Sequence, residues 1–453
     1  MDNHEPEKLF HFVTIRDPST KTRRGPDMRL SQARSHAARI THMRKRKKNQ
    51  KSNDEYQVAG AANLVRADAR NPQLPNDVEI LRLKHQAQGL ALLMNALQNL
   101  TGPASDALLM AMVMAGMLTD PSPSQIPEMY RGSPLARAQH LHIYARLTLV
   151  PATMRTMLES VGKRGGISNI HDYGMTSILQ FADLQASSRV GIPPAFQWVY
   201  PNSTSLCSRQ PDLDEVAVNM LAVIGTGFGH REFIDQDLAR ALEGAGDVTV
   251  ALDSFQRQKS NGYTLIDIVD VANETQHKLL CTINIPSAEA THDLCLREIC
   301  QWAALIYNDM VVFPLPATTG NKPRLSKGLR SALESYEILS SKSTSLAGQV
   351  VKTVDHSDFI LWALMLGAMA ASSTVNTTWY VQKLGHYLSQ SPYRHTWSDF
   401  RKLMLTYLWW SYILDEPGER LWWEGQLASE SLDSTGVDFH QYEYASHPID
   451  HCQ

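Results

Sequence analysis

Phe359-Ile360-Leu361-Trp362-Ala363-Leu364-Met365-Leu366-Gly367-Ala368-Met369-Ala370-Ala371 is the longest apolar run in the chain, and its length decides between a membrane helix and a helix of a folded body. Its 13 residues fall short of the ~20 that a bilayer span requires. No membrane association is expected, and the run is assigned to a helix over 357–371. Outward from it, apolar residues recur at helical spacing at about 377–388, 397–414 and 418–429 on one side, and at 324–340, 288–312, 262–283, 231–244 and 212–224 on the other.

The earlier half continues the pattern. Asp77 is a suitable N-cap, and Ile80, Leu81, Leu83, Ala87, Leu90, Ala91, Met94 and Leu97 predict a core-facing helix. Ala104–Leu118 is apolar nearly all round, with Met110, Met112, Met114 and Met117, and reads as a buried central helix. After the proline-rich loop Pro121 to Pro134, the spacing predicts one long helix over Leu135–Val161, capped by Ser133 and Pro134 and kinked at Pro151. Gly162 to Gly166 ends it, and a further helix is expected over Tyr173–Arg189. Strand signals are few, the clearest being the alternating patch Leu9 to Ile15. No repeat of fixed period is present. The fold class expected is all-α, a multi-helix array.

Net charge is −3 over 453 residues, but it is divided unevenly. Residues 1–51 hold 14 Lys+Arg against 5 Asp+Glu, a net of +9, while residues 52–453 hold 29 against 41, a net of −12. Four segments follow: a basic, partly disordered arm (1–51), a linker (52–76), a helical domain (77–429) and a tail (430–453). A basic arm on an acidic body is expected to seek polyanions with the arm alone. Its positive residues include Arg34, Arg39, Arg44, Lys45, Arg46, Lys47, Lys48 and Lys51. The compact cluster Arg44 to Lys48 suits the acidic groove of a nuclear import receptor. The same residues suit DNA phosphates, which they would neutralise without choosing bases. A solvated charge run is the bland alternative. The polar start Met1-Asp2-Asn3-His4-Glu5 has no apolar segment behind it, so no secretory signal is expected.

Nothing in the helical segments demands catalysis. Gly225-Thr226-Gly227-Phe228-Gly229-His230 approaches a dinucleotide motif, but its third glycine would fall on His230 and no strand–helix–strand context surrounds it. Five cysteines, Cys207, Cys281, Cys295, Cys300 and Cys452, have no framework spacing, which suits a reducing compartment. Cys295 and Cys300 are five apart and diverge on a helix, as do His140 and His142 at a spacing of two, so neither pair chelates zinc unaided. Seven of the nine tryptophans, Trp362, Trp379, Trp397, Trp409, Trp410, Trp422 and Trp423, follow residue 360 and predict a packed C-terminal sub-core, with an aromatic effector pocket as the alternative. No enzyme activity, cofactor or metal is expected.

Several stretches resemble proteins carrying the helical fungal-specific transcription factor domain. They are Phe12-Val13-Thr14 with Asp17-Pro18, then Arg34-Ser35-His36-Ala37-Ala38-Arg39; Lys163-Arg164-Gly165-Gly166-Ile167 with Phe181-Ala182-Asp183-Leu184-Gln185; Ala303 to Tyr307 through Phe313-Pro314-Leu315-Pro316; and Leu414 to Gly418 through Leu421-Trp422. The resemblance implies a nuclear regulatory domain tied to metabolic or secondary-metabolite genes, with protein partners or a homodimer formed through the helices. The family's usual DNA reader, a binuclear zinc–cysteine cluster, has no counterpart, because the first cysteine is Cys207. Any DNA contact must therefore come from the arm or a partner. The competing expectation is a helical scaffold or co-regulator that never touches DNA.

Overall fold

A computed structural model describes residues 74–119, 132–139, 141, 147–149, 151–170, 173–199, 206, 213–229, 231–257, 263–283, 291–346, 356–372, 374 and 376–435. The basic arm, the patch Leu9 to Ile15, His140, His142, Cys207 and Cys452 lie outside the described residues. Two compact units divide the chain between Gln88 and Gly89. Of the first, only 74–88 are described, and they are helical.

The described residues are all-α in class. The helices are α1 (Leu74–Gln98), α2 (Asp106–Gly116), α3 (Leu135–Ala138), α4 (Pro151–Lys163), α5 (Tyr173–Val190), α6 (Glu215–Val223), α7 (Gln236–Gln256), α8 (Leu265–Cys281), α9 (His292–Met310), α10 (Asn321–Leu346), α11 (Ser357–Ala370), α12 (Asn376–Ser389), α13 (Trp397–Thr406) and α14 (Ser411–Thr435). No helix among the described residues is long and apolar enough to cross a membrane.

Within the second unit, α11 is the centre. Every residue from Phe359 to Ala370 is buried, because α9, α10, α12, α13 and α14 all pack against it. A helix apolar on every side finds its solvent in other helices rather than in lipid. Close approach is built into its sequence: a Cβ at Gly367 would run into the Tyr380 ring of α12, whose hydroxyl donates to the Ser326 carbonyl at 2.7 Å. A second, smaller core gathers Leu93, Leu109, Met112, Met157, Val161, Leu179 and Phe196. Here α2 packs on α4 and α5.

Four expectations are corrected. The long helix over Leu135–Val161 does not form. Instead a short strand β2 (Leu147–Leu149) pairs antiparallel with β1 (Met117–Thr119), Met117 opposite Leu149 and Thr119 opposite Leu147. The cause is Pro151, which opens α4 rather than kinking a longer helix: it disfavours helical backbone at Val150 and cannot donate inside a helix. The same ladder takes Met117 and Leu118 out of the helix expected over Ala104–Leu118.

The break expected near Pro417 falls instead at Tyr407–Trp410, and α14 runs through Pro417 to Thr435. Tyr407 is extended there (φ −101°, ψ −154°). Tyr407, Leu408, Trp409 and Trp410 are all buried in the larger core. Finally, α1 starts before Asp77 and is only partly core-facing. Leu93 is buried, whereas Ile80 and Met94 are 62% and 60% exposed.

Caps set the helix starts: periodicity placed those of α6 and α7 too early, at 212 and 231, and that of α13 correctly at 397. Asp214 accepts from the Ala217 N–H (2.8 Å), Asp235 from Leu238 (2.8 Å), and Thr396 from Asp399 (3.1 Å). Each supplies an acceptor to a first-turn donor that has no helical partner.

Candidate functional site

The eight basic residues singled out in the sequence, Arg34, Arg39, Arg44, Lys45, Arg46, Lys47, Lys48 and Lys51, all lie outside the described residues. The structure therefore bears only on the candidates of the helical body, beginning with the cysteines.

Cys295 and Cys300 are buried on α9, and burial pushes both thiols up from their ordinary value. Nearby His292 turns away from them, facing the Ser340 hydroxyl at 3.1 Å and the Tyr336 ring at 4.5 Å between centroids. Among the described residues no group of three His, Cys, Asp or Glu side chains could hold a metal ion.

Cys281, at the end of α8, has its sulfur 3.6 Å from Nδ1 of His277, while Nε2 of His277 lies 2.8 Å from the Phe196 carbonyl oxygen. A carbonyl only accepts, so Nε2 is the donor in that contact. The pair is not an activated nucleophile, because burial first, then the Asp183 and Asp237 carboxylates, raise the thiol pKa.

Asp183 completes the same corner, accepting the Phe196 N–H at 2.8 Å. Burial raises its carboxyl pKa despite that bond. A raised carboxyl pKa means the folded state binds the proton more tightly than the unfolded one. Stability is then lost as pH rises from the unfolded to the folded value, and the loss persists above it. Asp183→Asn keeps an oxygen acceptor without the charge. It is expected to melt higher than the wild type at pH 7.5, with the difference vanishing as pH falls below the unfolded carboxyl range; thermal melts at several pH values check this.

The glycine-rich turn is a packed joint rather than a phosphate cradle. Gly225 has φ 82° and opens a single 3-10 turn, Thr226–Phe228. A Cβ at Gly227 would lie 2.7 Å from the Tyr407 ring. Arg231 ties the joint together: Nε donates to the Gly227 carbonyl (2.8 Å), one terminal nitrogen donates to the Tyr407 hydroxyl (2.8 Å), and the other lies 3.0 Å from Nδ1 of His356. Its guanidinium sits 5.3 Å from the Phe359 ring centre. Burial pushes the Tyr407 hydroxyl up to about 12, with Arg231 acting against it.

The tryptophans separate into two groups. Trp362, Trp409, Trp410 and Trp422 are buried, as a sub-core requires. The aromatic surface lies elsewhere, on α13 and α14, where a recess of about 640 Å³ is lined by Trp397 and Trp423 together with Arg401, Asp415, Glu416, Glu419 and Arg420. Its floor is braced, since Arg401 donates to Asp415 (2.7 Å) and Ser411 (2.8 Å), while Trp409 Nε1 donates to the other Asp415 oxygen (2.8 Å). Trp423 is 56% exposed and its ring meets Trp422 edge-on at 4.9 Å. The sequence offered an aromatic pocket among these tryptophans only as the alternative and did not single out Glu416 and Glu419, which share one helical face with Trp423 by spacing.

Comparison with known proteins finds no match to a family model, a curated protein or a solved structure.

Proposed function

We propose that this chain is a nuclear regulator of transcription, with a basic arm for import and phosphate contact and a helical body that receives partners. The observation that carries the reading is the partition of charge, +9 on residues 1–51 and −12 on the remainder. Polyanions are attracted to the first segment and repelled by the second. The resemblance to fungal-specific transcription factor domains supports the link to metabolic or secondary-metabolite genes. In this reading the body does not perform catalysis; its role is interaction, with a protein partner or a second copy.

Replacing Arg44, Lys45, Arg46, Lys47 and Lys48 together with alanine is expected to abolish nuclear accumulation of a tagged chain. Unchanged accumulation would remove the import role. If the arm neutralises about five phosphates, the logarithm of DNA affinity against the logarithm of salt should have a slope of about −4.5. Absence of binding at low salt would favour the second reading, a helical co-regulator that never touches DNA.

A further inference from the structure

Two imidazoles and one guanidinium meet beside the central helix. His356 is the N-cap residue of α11, yet its side chain makes no capping bond; it turns to Arg231, a terminal nitrogen of which lies 3.0 Å from Nδ1. A guanidinium only donates, so Nδ1 accepts and the bond requires it unprotonated. His292, the first residue of α9, brings a second ring to 6.3 Å from that of His356 between centroids. All three residues are half-buried. Besides His356, Arg231 bonds only the Gly227 carbonyl and the Tyr407 hydroxyl, and His292 only the Ser340 hydroxyl, so among the described residues no carboxylate is paired with either.

A second proton on His356 is opposed from three directions. It removes the acceptor that Arg231 uses and leaves two cations in contact. It also adds positive charge at the N-terminus of α11, where the helix dipole is already positive. His292 stands at the N-terminus of α9 and is itself able to take a proton. The carboxylates nearest in sequence are Asp358, in the first turn of α11 and hydrogen-bonded to Tyr393, and Asp293, in the first turn of α9. Asp355, which precedes His356 in the chain, lies outside the described residues. Cys300 and Tyr407 face Arg231 but burial raises both, and Tyr336 of α10 packs on His292.

We propose that Arg231 and His356 form a pH-sensitive latch on the start of α11, closed while His356 is neutral and loosened when it takes a proton. Above about pH 6.5, the ordinary value for histidine, the ring is neutral in folded and unfolded chains alike. The folded state resists the proton, so stability is lost as pH falls from that value toward the folded midpoint, and the loss persists below it. Arg231 then lets go of α11 while keeping Gly227 and Tyr407, which frees the glycine-rich turn from the first turn of the central helix. The latch lies wholly in the helical body and holds or fails independently of nuclear import and DNA contact.

The test uses the full chain with labelled histidine rings, followed by NMR from pH 8 to pH 5, the His356 signal being assigned from the His356→Gln variant. Its midpoint is expected at least about half a unit below the ordinary value of 6.5. Melting temperatures of wild type and His356→Asn are then compared at pH 7.5 and pH 5.5. Asparagine places an oxygen where Nδ1 stands and has no charge to gain, so it keeps the bond to Arg231 at both values. Between them the wild type should lose about 2 °C more than the variant, and subtracting the two curves cancels every other titrating group, Asp183 included. A midpoint at or above 6.5, or an equal loss in both proteins, would overturn the proposal. Should His356→Asn fail to fold, the wild-type midpoint decides alone.

Discussion

Trp362→Ala is expected to destabilise the helical body by about 3–5 kcal/mol. The side chain is fully buried at the centre of the larger core. Its ring stacks on Tyr407 at 5.4 Å with an interplanar angle of 20°, and meets Phe228 edge-on at 5.1 Å. Its Nε1 donates to the Leu408 carbonyl at 3.1 Å, so truncation removes a hydrogen bond as well as volume. That bond matters because it gives the Leu408 carbonyl, in the non-helical segment Tyr407–Trp410, a buried donor. Against a total stability of about 5–15 kcal/mol, the loss would leave a marginal fold. Urea titration should show a lower midpoint with an unchanged slope. Trp362→Phe should fall between, keeping ring packing and losing the donor, whereas Trp423→Ala, on the exposed face, should lie within about 0.5 kcal/mol of wild type.

The contrast between these two tryptophans shows what the sequence could and could not carry. Phe359–Ala371 was legible because thirteen apolar residues in a row leave a helix no face to give to water. The clustering of tryptophans beyond residue 360 was legible for the same reason. Which ring points outward was not, because it depends on where α12 and α13 lie against α14. Periodicity also hid the path of the chain at 147–151. Apolar Leu147, Leu149 and Val150 satisfy a helical pattern and a short strand equally, and the local chemistry of Pro151 decided the matter. The starts of α6, α7 and α13 were recoverable from Asp214, Asp235 and Thr396, whose side chains terminate each preceding loop. For α1 the apolar stripe announced a buried face, yet Ile80 and Met94 are exposed and Leu93 makes the contact. A hydrophobic pattern identifies a face without supplying what covers it.

Polar burial was the least legible feature, and it yields the second large effect. Asp309 ends α9 almost wholly buried, its side chain 3% exposed, and meets Lys322 of α10 at 3.0 Å with Lys322 21% exposed. Asn321 donates to the other carboxylate oxygen at 2.6 Å, and the Lys322 ammonium also donates to the Leu315 carbonyl at 3.1 Å. In sequence, Asp309 and Lys322 are ordinary charged residues flanking a proline-containing loop; only folding brings the ends of α9 and α10 together and removes the carboxylate from water. Lys322→Met keeps the aliphatic stem but abandons that buried charge, and is expected to cost about 3–5 kcal/mol. The penalty belongs to the unpaired carboxylate rather than to lost attraction. Adding Asp309→Asn to Lys322→Met should therefore recover most of the stability, since asparagine is neutral and its oxygen still accepts from Asn321. Denaturant titration of the wild type, both single variants and the double variant measures the coupling directly. A double variant as unstable as Lys322→Met alone would show that the ammonium acts chiefly through the Leu315 carbonyl, and that the buried carboxylate finds compensation without it.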